Sequence, residues 1–139
     1  MSDEPRFVDT NVLVYLFDGD APGKQAVARR ILEDRPEDLV LSIQVLGEFY
    51  VSVTRKLAEP LAPESARMAV ADLCALSVRP ILPSLVQTAV QRSQASQISY
   101  WDALIVESAI ESGAKVLLTE DLQHGQRFGR LRVVNPFLN

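Results

Sequence analysis

Short apolar runs alternate along this chain with longer stretches of helical periodicity, and that alternation constrains the fold more than any other feature. The runs centre on Phe7-Val8, Leu39–Leu41, Ser77–Leu82, Lys115–Leu118 and Leu131–Val134. Each is too short for a helix and is bounded by turn or cap residues, so each reads as a buried strand. Between them, apolar spacing predicts helices over 12–17, 22–33, 43–57, 63–74, 83–96 and 99–112, with Pro22, Pro63 and Pro83 at positions that open helices and Gly113 at one that closes them. Strands alternating with helices build right-handed βαβ units, hence a parallel sheet covered on both faces. The expected fold is α/β, three layers α/β/α around a parallel sheet of about five strands. At 139 residues, 1–139 is expected to form a single domain with a substantial core.

Composition narrows the function. Apolar residues make up 47% of the chain, which argues against disorder. No apolar run approaches the ~20 residues needed to span a bilayer, and the acidic start, Met1-Ser2-Asp3-Glu4, lacks a signal peptide's basic and apolar regions. A cytoplasmic protein without a membrane partner is the expectation. Cys74 is the single cysteine, so neither a disulfide framework nor a zinc cluster arises, and its neighbours Leu73, Ala75 and Leu76 predict packing in the core. The net charge of −4 argues against a general nucleic-acid-binding module. It does not argue against acids gathered around a divalent cation, because the ion inverts the local charge logic.

Three carboxylates fall where such a gathering would form. Asp9 ends the first strand, and ligands in open α/β sheets bind beyond the carboxyl ends of strands. Asp9 also suits the N-cap of the next helix, so both readings stand at this point. Thr119-Glu120-Asp121 follows the Lys115–Leu118 strand in the same way, with a turn cap as the competing account. On a helical wheel Glu107 and Glu111 define a charged side, and Asp102 falls opposite them beside Ile98, Ile105 and Val106. An acid on an apolar face is rarely buried without a partner or a metal, although Ser99-Tyr100-Trp101-Asp102 also resembles a capping box. Glu48 lies opposite the expected core stripe of its helix (Leu46, Phe49, Tyr50, Val53 and Leu57), which predicts a surface glutamate. All-oxygen donors without a histidine or cysteine cluster suit Mg2+ or Mn2+, and a cation so held activates water for attack on a phosphodiester. His124, before Gly125, reads as a loop residue.

Four motifs taken in order, FVDTNVLVYLFD, QVLGEFY, SYWDALI and LLTED, resemble the PIN-domain ribonucleases, and the short length is similar to the VapC-type toxins of bacterial toxin–antitoxin pairs. The resemblance spans nearly the whole chain; the first and third motifs are the specific ones. It implies an acidic quartet of Asp9, Glu48, Asp102 and Asp121, with Thr10, Asn11 and Thr119 as polar support and Glu120 as a residue able to share the fourth role. It further implies Mg2+ or Mn2+, cleavage of RNA, a homodimer and a cognate antitoxin protein. Asp9 and Asp102 would be direct metal ligands. His124, Arg127, Arg130 and Arg132, clustered near the last strand, are candidates for RNA contact, against the plainer account of a solvated edge.

Other classes fit less well. Within the same family, a housekeeping RNA-processing nuclease is the alternative to a toxin. A haloacid-dehalogenase-like phosphatase needs a second Asp two residues after the first, where this chain has Asn11. A receiver-like regulatory module needs an acceptor Asp on a middle strand, and neither Leu39–Leu41 nor Ser77–Leu82 ends in one.

Overall fold

A computed structural model describes residues 4–138. The chain runs β1 (Arg6–Val8), α1 (Thr10–Val14), α2 (Pro22–Glu33), β2 (Leu39–Ser42), α3 (Ile43–Arg55), α4 (Pro63–Leu73), β3 (Ser77–Arg79), α5 (Pro83–Ser96), α6 (Tyr100–Glu111), β4 (Val116–Leu118), β5 (Arg127–Phe128) and β6 (Leu131–Val134). A 3-10 turn over Tyr15–Phe17 extends α1, and another over Pro36–Asp38 leads into β2. Local chemistry sets these limits. Proline opens α2, α4 and α5, where its missing N–H would have had no helical partner anyway. The hydroxyl of Ser42 accepts from the Val45 N–H at the start of α3, and that of Ser99 from the Asp102 N–H at the start of α6. At the end of α6, Gly113 at φ 82° lets the Gly113 and Ala114 N–H groups turn back to the Ile110 and Ala109 carbonyls.

The sheet order is β3-β2-β1-β4-β6-β5. All pairs are parallel except β5 with β6. The five expected parallel strands are all present, and a sixth, β5, joins them as an antiparallel edge. Two-residue β5 carries no periodicity for a sequence pattern to reveal. From β1 the chain steps outward to β2 and β3, then crosses back to β4 on the other side of β1. Right-handed crossovers in the two directions place α1–α4 on one face and α5–α6 on the other. The reversal between β1 and β4 is a topological switch point, and their carboxyl ends open a crevice there. Phe7, Val8, Leu39, Leu41, Leu117 and Val133 fill the sheet's share of the core, against Val12, Leu13, Phe49 and Val53 from the helices.

Three expectations about faces are overturned. Glu107 is buried and paired with Arg92 of α5 at 2.5 Å, so α6 has no charged side there: α5 covers it, and 103–109 are all buried. On α3 the buried positions are Val45, Phe49 and Val53, while Tyr50 is 44% exposed, so the core face is turned from the expected stripe. Cys74 is exposed: it caps the C-terminal end of α4, and Leu73 takes the place in the core. Among the described residues no helix is long and apolar enough to cross a membrane.

Candidate functional site

The crevice at the switch point is lined by side chains that enter from three directions. Asp9, the first residue past β1, is 5% exposed and donates its N–H to the Leu118 carbonyl of β4 at 3.0 Å. Its extended backbone makes it the N-cap of α1, where Oδ1 accepts from the Thr10 N–H at 2.7 Å. Oδ2 accepts from the Thr119 hydroxyl at 2.8 Å. The two readings of Asp9, helix cap and crevice acid, are thus one geometry. Burial raises its carboxyl pKa to about 7; the hydrogen bonds from Thr10 and Thr119 work against that shift, and the charges of Asp121 and Glu48 add to it.

Thr119 is a buried junction. Besides donating to Asp9, its oxygen accepts from the Asn11 side-chain amide and from the Asp121 N–H, each at 3.1 Å. Asn11 reaches on to Asp121 Oδ2 at 3.0 Å and accepts from the Glu120 N–H at 3.3 Å. These bonds fasten the loop after β4 to the first turn of α1. Thr10, one residue earlier, donates to Glu48 Oε1 of α3 at 2.9 Å, and Gln44 holds Oε2 at 3.1 Å. Glu48 is therefore half-buried rather than a surface residue, because α1 packs across the side of α3 that a helical wheel leaves facing solvent. Asp102, in the first turn of α6, enters from the opposite helical layer. Its carboxyl is also raised, first by burial and then by the charges of Asp121 and Glu48, against a lowering hydrogen bond from Ser99. Asp121 and Glu48 thus act on both Asp9 and Asp102, which brings all four acids into one electrostatic neighbourhood.

The remaining predicted residues separate. Glu120 turns away from this group, with one oxygen accepting from the Tyr15 hydroxyl and the other paired with Lys24 at 2.9 Å. Lys24 also lies 4.9 Å from the Tyr15 ring centroid, and Tyr15 meets Phe137 edge-on. Glu120 is a strut for the loop, not an alternative to Asp121. His124 lies beyond the carboxyl end of β6, its Nδ1 accepting from the Asn135 N–H at 3.0 Å. The three arginines do not join it. Arg132 sits opposite Val116, at the amino end of β4; Arg127 pairs with Arg132; Arg130 lies in the turn between β5 and β6. That is the far end of the sheet from the acids, which removes them from the crevice. The antiparallel return of β5 produces this reversal, since a cluster near the last strand in sequence divides between the two sheet edges.

A cleft of about 660 Å3 opens over Thr10, Asn11, Glu48 and Asp121, with Tyr15 and Lys56 on its walls. The sequence reading missed Tyr15, Lys24, Gln44 and Lys56; only Tyr15, one helical turn after Asn11, and Gln44, one turn before Glu48, carried a positional signal. Among the described residues no three acidic, histidine or cysteine side chains form a ready-made metal shell. The donors nevertheless fit a hard cation that keeps part of its water shell and takes one or two carboxylates directly, as Mg2+ does. They are all oxygen, and two of them are pushed towards the neutral form by burial and mutual charge, a strain that a cation relieves.

Residues 6–128 match the family model described as PIN domain. The chain belongs to the PIN-domain family. Solved structures share the fold of this PIN domain over most of its length. VapC20 of Mycobacterium tuberculosis, a sarcin-ricin loop cleaving toxin, superposes with a TM-score of 0.66 at 23% identity, covering 84% of this chain and 89% of that one. A toxin–antitoxin complex from Klebsiella pneumoniae gives 0.72 at 21%, covering 94% and 97%. FitAB bound to an IR36 DNA fragment gives 0.72 at 22%, covering 96% of both. At these identities the likeness is one of fold. No curated protein is close enough in sequence to count as a relative.

Proposed function

We propose that this PIN domain is a Mg2+- or Mn2+-dependent ribonuclease and the toxin of a type II toxin–antitoxin pair. The observation that carries the reading is the gathering of four acids at the switch point: Asp9, Glu48 and Asp121 are wired through Thr119, Asn11 and Thr10, and Gln44 bridges Glu48 to the Trp101 carbonyl beside Asp102. Asp9 and Asp102 would hold the cation, with Glu48 and Asp121 holding its waters or a second ion. A divalent cation in such a site neutralises phosphate charge and makes a water acidic enough to attack phosphorus. The chain's own contribution is orientation. Thr119 and the α1 N-terminus fix both oxygens of Asp9, and Thr10 and Gln44 fix those of Glu48. Asp121, exposed at the mouth, would orient the attacking water and accept its proton, while the leaving ribose oxygen takes a proton from solvent as its bond to phosphorus breaks.

Two structural neighbours, a toxin that cleaves the sarcin-ricin loop and a toxin–antitoxin complex, favour RNA as substrate and an antitoxin as partner. The reading also takes the active form to be a cytoplasmic homodimer. Purified protein free of any antitoxin is expected to cleave structured RNA with Mg2+ or Mn2+ and to be silent with chelator. Asp9→Ala and Asp102→Ala are expected to abolish cleavage while circular dichroism shows a retained fold. Full cleavage by Asp102→Ala, or none by the wild type with either metal, would overturn the nuclease reading. For the toxin role, expression is expected to arrest growth, and the product of a small reading frame immediately upstream to restore it; growth without arrest leaves a processing nuclease.

A further inference from the structure

Trp101 is the chain's single tryptophan and is 61% exposed, an unusual amount for so large an apolar side chain. It occupies the first turn of α6 next to Asp102. Its carbonyl accepts from Gln44 Nε2 at 3.4 Å, and the same nitrogen donates to Glu48 at 3.1 Å. Trp101 is therefore bracketed by two of the four acids, at the point where α6 meets α3. Ile43, beside Gln44, is 51% exposed and extends the apolar rim. Tyr100 packs on the small cluster of Ala89, Ala103 and Leu104 and meets the indole edge-on, with centroids 4.9 Å apart. The indole is thus braced by an anchored ring yet largely open to solvent.

The cleft presents an odd problem for a nucleic-acid enzyme. Glu48 and Asp121 line it, with Lys56 as a cation on its wall, and the whole chain is negative. Apart from the proposed cation, the cleft offers phosphate little positive charge, so an interaction that needs no charge would add to its grip on RNA. Stacking of a base on an aromatic ring needs no charge and tolerates any base, but it needs a base whose face is free.

We infer that Trp101 is a stacking platform for an unpaired base adjacent to the scissile phosphate, so that the site takes looped or single-stranded RNA and not duplex. The inference builds on the ribonuclease reading and names how that substrate is gripped. A braced aromatic ring loses little freedom on binding, which suits it to the task.

The single tryptophan makes the test direct, because all indole fluorescence comes from this position. In the Asp9→Asn protein with Mg2+, short oligoadenosine is expected to quench the emission saturably, and its duplex with oligouridine is not. In the otherwise unaltered enzyme, Trp101→Ala is expected to raise KM for an unpaired substrate about 5- to 150-fold, the range for one stacked base, acting on KM more than on kcat. Trp101→Phe should recover most of that loss, and Trp101→Leu, which keeps the apolar area without the ring face, should not. No quenching by oligoadenosine, or a Leu variant equal to wild type, overturns the platform. So does emission that changes with protein concentration, together with a lower sedimenting mass for Trp101→Ala, which would make the residue an interface between copies. Quenching by oligoadenosine in a protein that cleaves no RNA would keep the platform and remove the ribonuclease reading; cleavage without quenching would do the reverse.

Discussion

Asp9 shows how one side chain comes to serve stability and chemistry at cross purposes. In the cation-free protein its carboxyl titrates near 7, against 3.8 for an unperturbed aspartate, mainly because it is buried. Between those values the folded protein holds a proton that the unfolded chain releases. The folded state is therefore favoured by this group at low pH, and that advantage is lost as pH rises from about 4 through 7. The full effect is on the order of 4 kcal/mol. In chelator, the urea midpoint of the wild type is expected to fall between pH 5 and pH 8, and that of Asp9→Asn to stay nearly level across the same range. A wild-type midpoint as flat as the variant's would show that burial of Asp9 carries no such cost. The sequence made part of this site legible. Asp9 and Asp121 stand at strand ends, where topology assigns ligands, and Asp102 shares a helix with apolar neighbours. Glu48 is invisible to a helical wheel, because the side that faces solvent on an isolated α3 is the side that α1 covers. Glu120 is adjacent to Asp121, yet only the positions of Lys24 and Tyr15, far from it in sequence, decide that it points elsewhere.

At the scale of elements, helix boundaries were the most legible part of the fold, because proline, serine and glycine act locally. The burial of helix faces was less so, because it depends on which helix comes to lie alongside. The pair α5–α6 shows both. Its boundaries follow from Pro83, Ser99 and Gly113, but nothing near Glu107 in sequence announces that Arg92 of α5 will cover it at 2.5 Å. Removing one partner of a buried pair leaves an uncompensated charge. Arg92→Ala is expected to destabilise the fold by about 3 kcal/mol, read from urea unfolding, whereas Arg92→Leu with Glu107→Met should recover most of it by packing. A loss in Arg92→Ala no greater than that for an exposed pair such as Arg79–Glu111 would show that Glu107 finds water instead.

Across the sheet, the four crevice acids and the arginines of the last hairpin lie at opposite ends. The four acids meet at the carboxyl ends of the parallel strands, and Arg127, Arg130 and Arg132 lie towards the amino end of β4 around β5. If RNA is held only at the acid cleft, Arg127→Gln, Arg130→Gln and Arg132→Gln together should leave kcat/KM unchanged at low and moderate salt. A fall that grows steeper at low salt would mean that the nucleic acid wraps around the sheet to the far edge.

The crevice is assembled from the two ends of the chain. The bond from Thr119 to Asp9 spans 110 residues, as does that from Asn11 to Asp121. A ribosome making this protein therefore has to synthesise β4 and the loop after it before the acids can meet. Until then the nascent chain carries Asp9 without the Thr119 hydroxyl and the Leu118 carbonyl that hold it, and lacks Asp121 altogether. An enzyme directed against RNA would thus stay inert through most of its own translation, and a message broken before the last strands would yield a harmless fragment.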